Sequence, residues 1–260
     1  AVDENGNRII RYEKDALVAT LTTDEDGKAE TGELPLGSYY LKETTAGDHF
    51  VLNPEQKEFT LSAEDDTVSV VYEGVTYKNE RQKIQISVEK KNSVTKKALE
   101  GVVFGLYAEE DIKNMQGKVV VEKDTLLETK ATDQEGRLTF ESDLWHGHYY
   151  VKEDQHLPGY LPNDEIWEID ATYEDQSLPA ILLEKEVENQ PTESYFTKTD
   201  IVTGEPVEGA KLQILDEEGT VVREWITTKE EHLEYALPAG NYILHEELPP
   251  LEDGYVSAED

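Results

Sequence analysis

The sequence predicts an all-β protein made of tandem immunoglobulin-like β-sandwich domains. Two observations lead to this prediction. Apolar and polar residues alternate in short segments that end at Gly, Asn, Asp or Pro, and one motif returns three times along the chain. Alternation of this kind is typical of strands with one buried face, and no segment shows the period of a long amphipathic helix. A repeated motif indicates repeated domains.

The repeated motif reads G-x-Y-x-x-x-E and occurs at residues 37–43, 147–153 and 240–246. Each copy begins with a turn glycine and continues as a strand. Successive side chains of a strand point to opposite faces, so the final glutamate lies on the same face as the tyrosine. The sequence therefore predicts three inward-pointing glutamates, which are Glu43, Glu153 and Glu246.

The repeat also sets the predicted domain boundaries. Glu43 and Glu153 are 110 residues apart, and so are Asn79 and Asn189. The agreement predicts domains at residues 1–82, 83–191 and 192–260. We expect the middle domain to be complete, the first to lack its opening strands and the third to lack its closing strands, as in a segment of a longer array.

The middle domain shows the strand pattern most fully. Its predicted strands are residues 84–88, 101–107, 138–140 and 149–153, and its T-D-x-x-G turn is residues 132–136. Beyond the first strand, Lys90 continues the alternation of Ile84, Ile86 and Val88, so its side chain is predicted to point inward. Lys91 is predicted to point to solvent.

Composition excludes several classes of function. The chain has 58 acidic and 24 basic residues and a formal charge of −34, which disfavours nucleic acid and anionic membranes as partners. It has no cysteine, which excludes disulfides and thiol catalysis. No apolar run approaches membrane-spanning length, so no membrane insertion is expected. The histidines show no ligand spacing beyond His146-x-His148, so no metal and no cofactor is expected.

The order of motifs resembles the Cna B-type, or SpaA-like prealbumin-fold, domains of Gram-positive surface adhesins and pilins. The residues that carry the resemblance are Lys90 to Asn92, Gly101 to Phe104, Thr132 to Gly136, Gly147 to Glu153, Pro158 to Tyr160 and Val187 to Asn189. It implies a structural stalk or shaft of an extracellular, cell-wall-attached protein, whose anchor is expected outside this segment. Implied partners are adjacent domains of the same surface protein and host extracellular-matrix or glycan ligands.

The resemblance also implies a spontaneous isopeptide crosslink between Lys90 and Asn189, with Glu153 as its catalyst. Burial favours the neutral form of a lysine, which makes it nucleophilic, and the protonated form of a carboxylic acid, which can shuttle protons. We expect Glu153 to hydrogen-bond the side-chain carbonyl of Asn189. The bond forms once per molecule, so the chain is not an enzyme with turnover.

The end domains are expected to hold incomplete versions of this site. Glu43 and Glu246 are the equivalents of the catalytic glutamate. Asn79 and Lys198 are the equivalents of the crosslinked residues, and the residues that would bond to them are expected in a longer chain.

An alternative interpretation is a carbohydrate- or host-ligand-binding β-sandwich module of a secreted protein. Trp145, Trp167 and Trp225 could form a flat platform for a sugar, or could pack in the core and the loops.

Overall fold

The computed structural model describes residues 4–5, 11–62, 73–250 and 254–256. It forms two compact units: residues 1–46 with 52–79, and residues 47–51 with 80–260. Every regular element in the described ranges is a β-strand, which confirms the predicted all-β class. Within these ranges, no helix is long and apolar enough to cross a membrane.

In its described residues, the first unit contains one antiparallel strand pair. Strand β1 (Gly37–Lys42) carries the first copy of the repeated motif, and it pairs with β2 (Gln56–Leu61). Tyr39 and Phe59 are opposite each other, and their rings stack with centroids 5.7 Å apart. Such cross-strand aromatic pairs stabilise a sheet.

Residues 83–191, the predicted second domain, contain nine strands. They are β3 (Lys83–Asn92), β4 (Val103–Ala108), β5 (Ile112–Lys113), β6 (Val119–Val121), β7 (Leu126–Ala131), β8 (Arg137–Thr139), β9 (Gly147–Gln155), β10 (Ile166–Ala171) and β11 (Ala180–Asn189). One sheet has the order β11-β3-β8, the other has the order β10-β9-β4-β7, and β5 pairs with β6. Buried residues of both sheets form one apolar cluster.

The first and last strands of this domain, β3 and β11, are parallel neighbours over ten residue pairs. Parallel strands need a long crossover connection, and here most of the domain supplies it. The inner face of β3 carries Ile84, Ile86 and Val88 and then, at the same spacing, Lys90. The arrangement therefore places a lysine at the end of an apolar stripe.

The third domain, predicted at residues 192–260, has five described strands. They are β12 (Glu193–Phe196), β13 (Lys211–Leu215), β14 (Val221–Ile226), β15 (His232–Tyr235) and β16 (Ile243–Leu248). Strand β12 pairs with β15, and the other sheet has the order β14-β13-β16. Its buried apolar residues are Val207, Ala210, Leu212 and Ile214.

One predicted strand begins later than the alternation indicates. The prediction started at Gly101, but β4 begins at Val103. Gly101 has a φ of +83°, which belongs to a turn, and its N–H donates to Thr132 O at 2.9 Å. Alternation alone does not report such a backbone reversal, because glycine fits either conformation.

Candidate functional site

The candidate site lies between the two sheets of the second domain. Lys90 is fully buried, with 0% of its surface exposed, and Asn189, the last residue of β11, is 1% exposed. In the parallel ladder Lys90 is opposite Val187, so Asn189 lies one step farther on the same face. The Lys90 Nζ donates to Asn189 Oδ1 at 2.6 Å.

Glu153 reaches the same point from the opposite sheet. Its side chain is 3% exposed, and its Oε2 lies 2.8 Å from Lys90 Nζ. Its Oε1 accepts a hydrogen bond from Asn189 Nδ2 at 2.8 Å. The structure therefore brings together all three residues predicted for this domain, with one carboxyl oxygen on the amine and the other on the amide.

The two carboxyl oxygens of Glu153 are not equivalent. Among the described residues, Oε2 is a buried polar atom that no donor approaches with hydrogen-bond geometry, although Lys90 Nζ is within ion-pair distance. The amine and this oxygen still attract each other, because electrostatic attraction does not require alignment. A buried oxygen without an aligned donor is costly, and such groups are found where chemistry needs them.

Burial sets the protonation of the lysine. Desolvation lowers the pKa of Lys90 from its ordinary value of 10.5, and it outweighs the attraction of the nearby Glu153 carboxyl group, which raises the pKa. The Phe104 ring, with its centroid 5.4 Å from Nζ, forms part of the apolar surroundings. At a given pH, a larger fraction of this amine is therefore neutral than for a lysine in water.

The turn glycine of the T-D-x-x-G motif holds the backbone of Lys90. The N–H of Lys90 donates to Gly136 O at 2.7 Å, and its carbonyl accepts from Leu99 N–H at 3.0 Å. Gly136 has a φ of +75°, and a Cβ on it would lie 2.5 Å from Lys90 O. The sequence identifies this residue only as part of a common turn, whereas the structure places it directly against the backbone of Lys90.

The tyrosine of the repeated motif was also missed as a functional residue. In each copy its hydroxyl donates to the carbonyl four residues earlier: Tyr39 to Pro35, Tyr149 to Trp145 and Tyr242 to Pro238. This bond fixes the turn from which the strand runs to the glutamate. The signal that could have found it is the tyrosine itself, which keeps its place in all three copies.

The residue two positions after each lysine closes a turn. Asn92 Oδ1 accepts the N–H groups of Val94 and Thr95 at 2.8 Å, and its Nδ2 donates to the Tyr160 hydroxyl at 3.1 Å. In the third domain Asp200 caps its own turn in the same way. Aspartate and asparagine are interchangeable in this role, since either offers a side-chain oxygen.

The first unit shows the same glutamate–asparagine contact. Asn79 Nδ2 donates to Glu43 Oε2 at 2.7 Å, and these residues are 36 positions apart, as are Asn189 and Glu153. The N–H of Asn53 donates to the same carboxyl oxygen at 2.7 Å.

The third domain shows the lysine–glutamate contact. Lys198 Nζ lies 3.1 Å from Glu246 Oε2, and the Glu246 side chain is 3% exposed. Two of the predicted site residues therefore meet in each end domain.

One detail of the predicted site is wrong. The sequence analysis expects Glu153 to hydrogen-bond the carbonyl oxygen of Asn189, but the amide nitrogen faces the carboxyl group and the oxygen faces Lys90. Alternation cannot predict which end of an amide faces which neighbour. Lys91 lies on the outer face beside Glu89 and Glu186, as alternation predicts.

His146, which the sequence analysis pairs with His148, has a different neighbour in the structure. His146 contacts His49 rather than His148, with 2.9 Å between the Nδ1 atoms. In the described part of the chain, no group of three or more His, Asp or Glu side chains is arranged to hold a metal ion.

The tryptophans do not form a common platform. Trp145 and Trp167 pack against the core of the second domain, and Trp225 stacks on His232 in the third.

Comparison with known proteins gives the family. The SpaA prealbumin-like fold domain matches residues 2–76, 84–183 and 193–260. The structure is similar to that of the Bacillus anthracis TIE protein, with 26% identity and a TM-score of 0.54 over 92% of this chain. The chain spans only 41% of the length of the TIE protein. No curated protein matches the chain.

Two pilins show a weaker structural similarity. A streptococcal ancillary pilin is 21% identical, with a TM-score of 0.33 over 88% of this chain and 71% of its own. The shaft pilin SpaA from Lactobacillus rhamnosus GG is 16% identical, with a TM-score of 0.33 over 68% of this chain and 91% of its own. The family matches cover most of the sequence, and the chain belongs to the family of SpaA prealbumin-like fold domains.

Proposed function

We propose that this chain is a structural segment of a Gram-positive bacterial surface protein, in which the second domain locks itself with an isopeptide bond between Lys90 and Asn189. The observation that carries the proposal is the buried contact of Lys90, Asn189 and Glu153. Membership of the SpaA family and the absence of cysteine agree with it, because a covalent staple stabilises a small β-sandwich and in this chain it cannot be a disulfide.

The geometry supports a specific path for the protons. The reaction starts from the neutral amine of Lys90 and the Glu153 carboxylate: Nζ attacks Cγ of Asn189 and passes one proton to Glu153 Oε2, which lies 2.8 Å away. Glu153 Oε1 faces Nδ2 at 2.8 Å and returns a proton to this nitrogen, which leaves as ammonia. One N–C bond forms and one breaks. The amine nitrogen loses one hydrogen, the departing amide nitrogen gains it, and Glu153 ends as it began.

Burial and strand pairing should both accelerate the reaction between Lys90 and Asn189. The β3–β11 ladder holds amine and amide in one place, which replaces a collision in solution with a high effective concentration. The buried site also excludes bulk water, which would otherwise compete for Asn189 and solvate the lysine charge. No external cofactor enters the reaction, since the three side chains account for every atom.

The position of the bond suggests a mechanical role. Strands β3 and β11 are the first and last strands of the second domain, so the bond would connect the points where the chain enters and leaves it. A pull along the chain would then load a covalent bond instead of a hydrogen-bonded ladder. Wall attachment, neighbouring surface domains and host ligands are further parts of this proposal.

The same role is proposed for the end domains. Glu43 would activate the reaction of Asn79, and Glu246 the reaction of Lys198, because each pair already has the contact seen in the second domain.

Intact-mass measurement tests the proposal directly. The folded chain should weigh about 17 Da less than its sequence for each bond, which is one ammonia. Tandem mass spectrometry of a digest should find one branched peptide that joins Lys90 to Asn189. Lys90→Met, Asn189→Ala and Glu153→Gln should each abolish this peptide, whereas Lys91→Met, at the neighbouring exposed lysine, should retain it.

A folded wild-type protein that yields separate, unmodified Lys90 and Asn189 peptides has no such bond. A branched peptide that persists at full yield in Glu153→Gln would remove Glu153 from the mechanism.

A further inference from the structure

Hydrogen bonds hold both ends of the connection between the second and third domains. Only Gln190, Pro191 and Thr192 separate β11 from β12, and Pro191 is fully buried. The carbonyl of Gln190 accepts from Leu161 N–H at 2.9 Å, and the N–H of Thr192 donates to Gly159 O at 2.8 Å. The connection is thus attached to the 157–161 loop of the second domain.

Thr192 attaches the same connection to the third domain. Its carbonyl accepts from Ala236 N–H at 2.9 Å. Its hydroxyl lies 3.0 Å from Gly159 O and 3.0 Å from Leu237 O, and it can donate to either. One threonine therefore joins a loop of each domain through both its backbone and its side chain.

The two loops also touch without a spacer. Gly159 has a φ of +85°, and a Cβ on it would lie 2.5 Å from Ala236 O and 2.7 Å from Ala236 C. Backbone atoms cannot move aside as a flexible side chain can. The close approach therefore requires glycine for two reasons, conformation and space.

The same bonds recur 110 residues earlier in the second unit. The N–H of Gln82 donates to His49 O at 2.9 Å, as Thr192 donates to Gly159, and Val51 donates to Glu80 O as Leu161 does to Gln190. Gln82 is fully buried and its Nε2 donates to Asp175 O and Leu178 O. The recurrence indicates that these hydrogen bonds are a regular feature of the repeated sequence.

We infer that residues 190–192 form a locked joint, and that the 157–161 loop is the docking surface on which residues 236–237 of the third domain are held in one orientation. In a flexible linker these amides would hydrogen-bond to water instead, because nothing would compensate the entropy lost when the linker is ordered. The joint begins directly after Asn189. A pulling force on β11 would therefore be transmitted to the third domain without first extending a flexible linker. This inference does not depend on the isopeptide bond.

Hydrogen exchange and residual dipolar couplings of the whole chain test the joint. The amides of Thr192 and Ala236 should exchange at least about 100-fold more slowly than unstructured peptide, as expected for bonds that open only locally. Residues 83–191 and 193–248 should share one alignment tensor. Unprotected amides, or two independent tensors, would overturn the inference.

Gly159→Ala should break the joint, with loss of at least about tenfold of the Ala236 protection and separation of the two tensors. Gly117→Ala is the matched control, because Gly117 has a φ of +74° but open space around its Cβ position, so it shares the backbone strain without the contact. Equal behaviour of the two variants would overturn the inference. If Gly159→Ala fails to fold, Thr192→Val decides: it removes only the hydroxyl, so the Ala236 amide should exchange faster than in the wild type, and an unchanged Ala236 exchange rate would overturn the inference.

Discussion

At the scale of the residue, the central feature is a lysine at a position that the strand pattern assigns to an apolar side chain. Lys90 follows Ile84, Ile86 and Val88 on the inner face of β3 and is fully buried. Burial of an uncompensated ammonium group is costly, so the site favours either the neutral amine or its ion pair with Glu153. This competition agrees with the proposed role of Lys90 as the nucleophile.

The first residue-scale prediction concerns the pKa of this lysine. In Asn189→Ala, which cannot crosslink, the pKa of Lys90 should lie below 10.5, because desolvation is the largest influence on it. In Glu153→Gln it should fall further, since the main opposing influence is removed. Carbon-13 NMR of the lysine side chains measures both values. Lys91, whose pKa is raised by Glu186 and Glu89, serves as the internal reference.

The sign of the linked stability change follows from the same shift. Between the folded pKa of Lys90 and 10.5, the unfolded chain binds more protons than the folded chain, so the free energy of unfolding of Asn189→Ala rises with pH across this interval. Above 10.5 the contribution is constant. Urea titrations at several pH values should show this rise, and the additional change Lys90→Met should remove it. A pKa at or above 10.5 in Asn189→Ala would contradict the account.

A second residue-scale prediction concerns Gly136. In Gly136→Ala the new Cβ meets Lys90 O at 2.5 Å and the backbone keeps its positive φ of +75°, so the domain should lose roughly 2 to 4 kcal/mol and crosslink more slowly. Gly27→Ala is the matched control: Gly27 ends the corresponding turn of the first unit with a φ of +74° and open space, so only about 1 kcal/mol is expected. Urea unfolding and time-resolved mass measurement compare the two. Equal costs would show that the contact with Lys90 is unimportant.

At the scale of the element, the important arrangement is the parallel pair of β3 and β11. Its two strands come from opposite ends of the domain, and Glu153 enters from β9 in the other sheet. A contact of this sequence separation forms only when nearly the whole domain has folded. Crosslinking should therefore report completed folding, not precede it.

The element-scale prediction is the stability gained from closing this loop. Lys90 and Asn189 are 99 positions apart, and the loop-entropy relation used for disulfides gives about 4 to 5 kcal/mol for such a loop. Asn189→Ala should lower the unfolding free energy of the second domain by about this amount, as measured in urea with domain-specific probes. Thr139→Ala, which removes a hydroxyl contact with Ser87 elsewhere in the same sheet, should cost only about 1 kcal/mol. An Asn189→Ala variant as stable as the wild type would argue against a closed loop.

At the scale of the whole molecule, acidity and the proposed covalent closure concern different properties. The formal charge of −34 favours solubility and repels other polyanions. The proposed bond instead determines how the chain responds to force, because it bypasses the segment between β3 and β11.

Single-molecule pulling tests this whole-molecule prediction. Releasing the 99-residue segment would lengthen an extended chain by roughly 350 Å, at about 3.5 Å per residue. The wild type should lack this step, and Asn189→Ala should show it at low force. A step of this length in the wild type would mean that the domain is not covalently closed.

Much of the fold follows from local pattern. Alternation and turn residues predict the all-β class, and the strands that carry Lys90 and Glu153 lie where the sequence predicts. These features depend on neighbours along the chain. The roles of Lys90, Asn189 and Glu153 as reacting groups stay a prediction until the bond is measured.

The sequence by itself determined the repeat, the strand periods and the inward faces of Lys90 and Glu153, because a side chain's face depends only on its position in a strand. Only the tertiary structure decided that β3 and β11 are parallel neighbours and that Gly136 presses on Lys90. It also decided that the amide nitrogen of Asn189 faces Glu153. These are contacts between distant segments, and their geometry depends on the order of the strands within a sheet and on how the two sheets pack face to face, which no local pattern encodes.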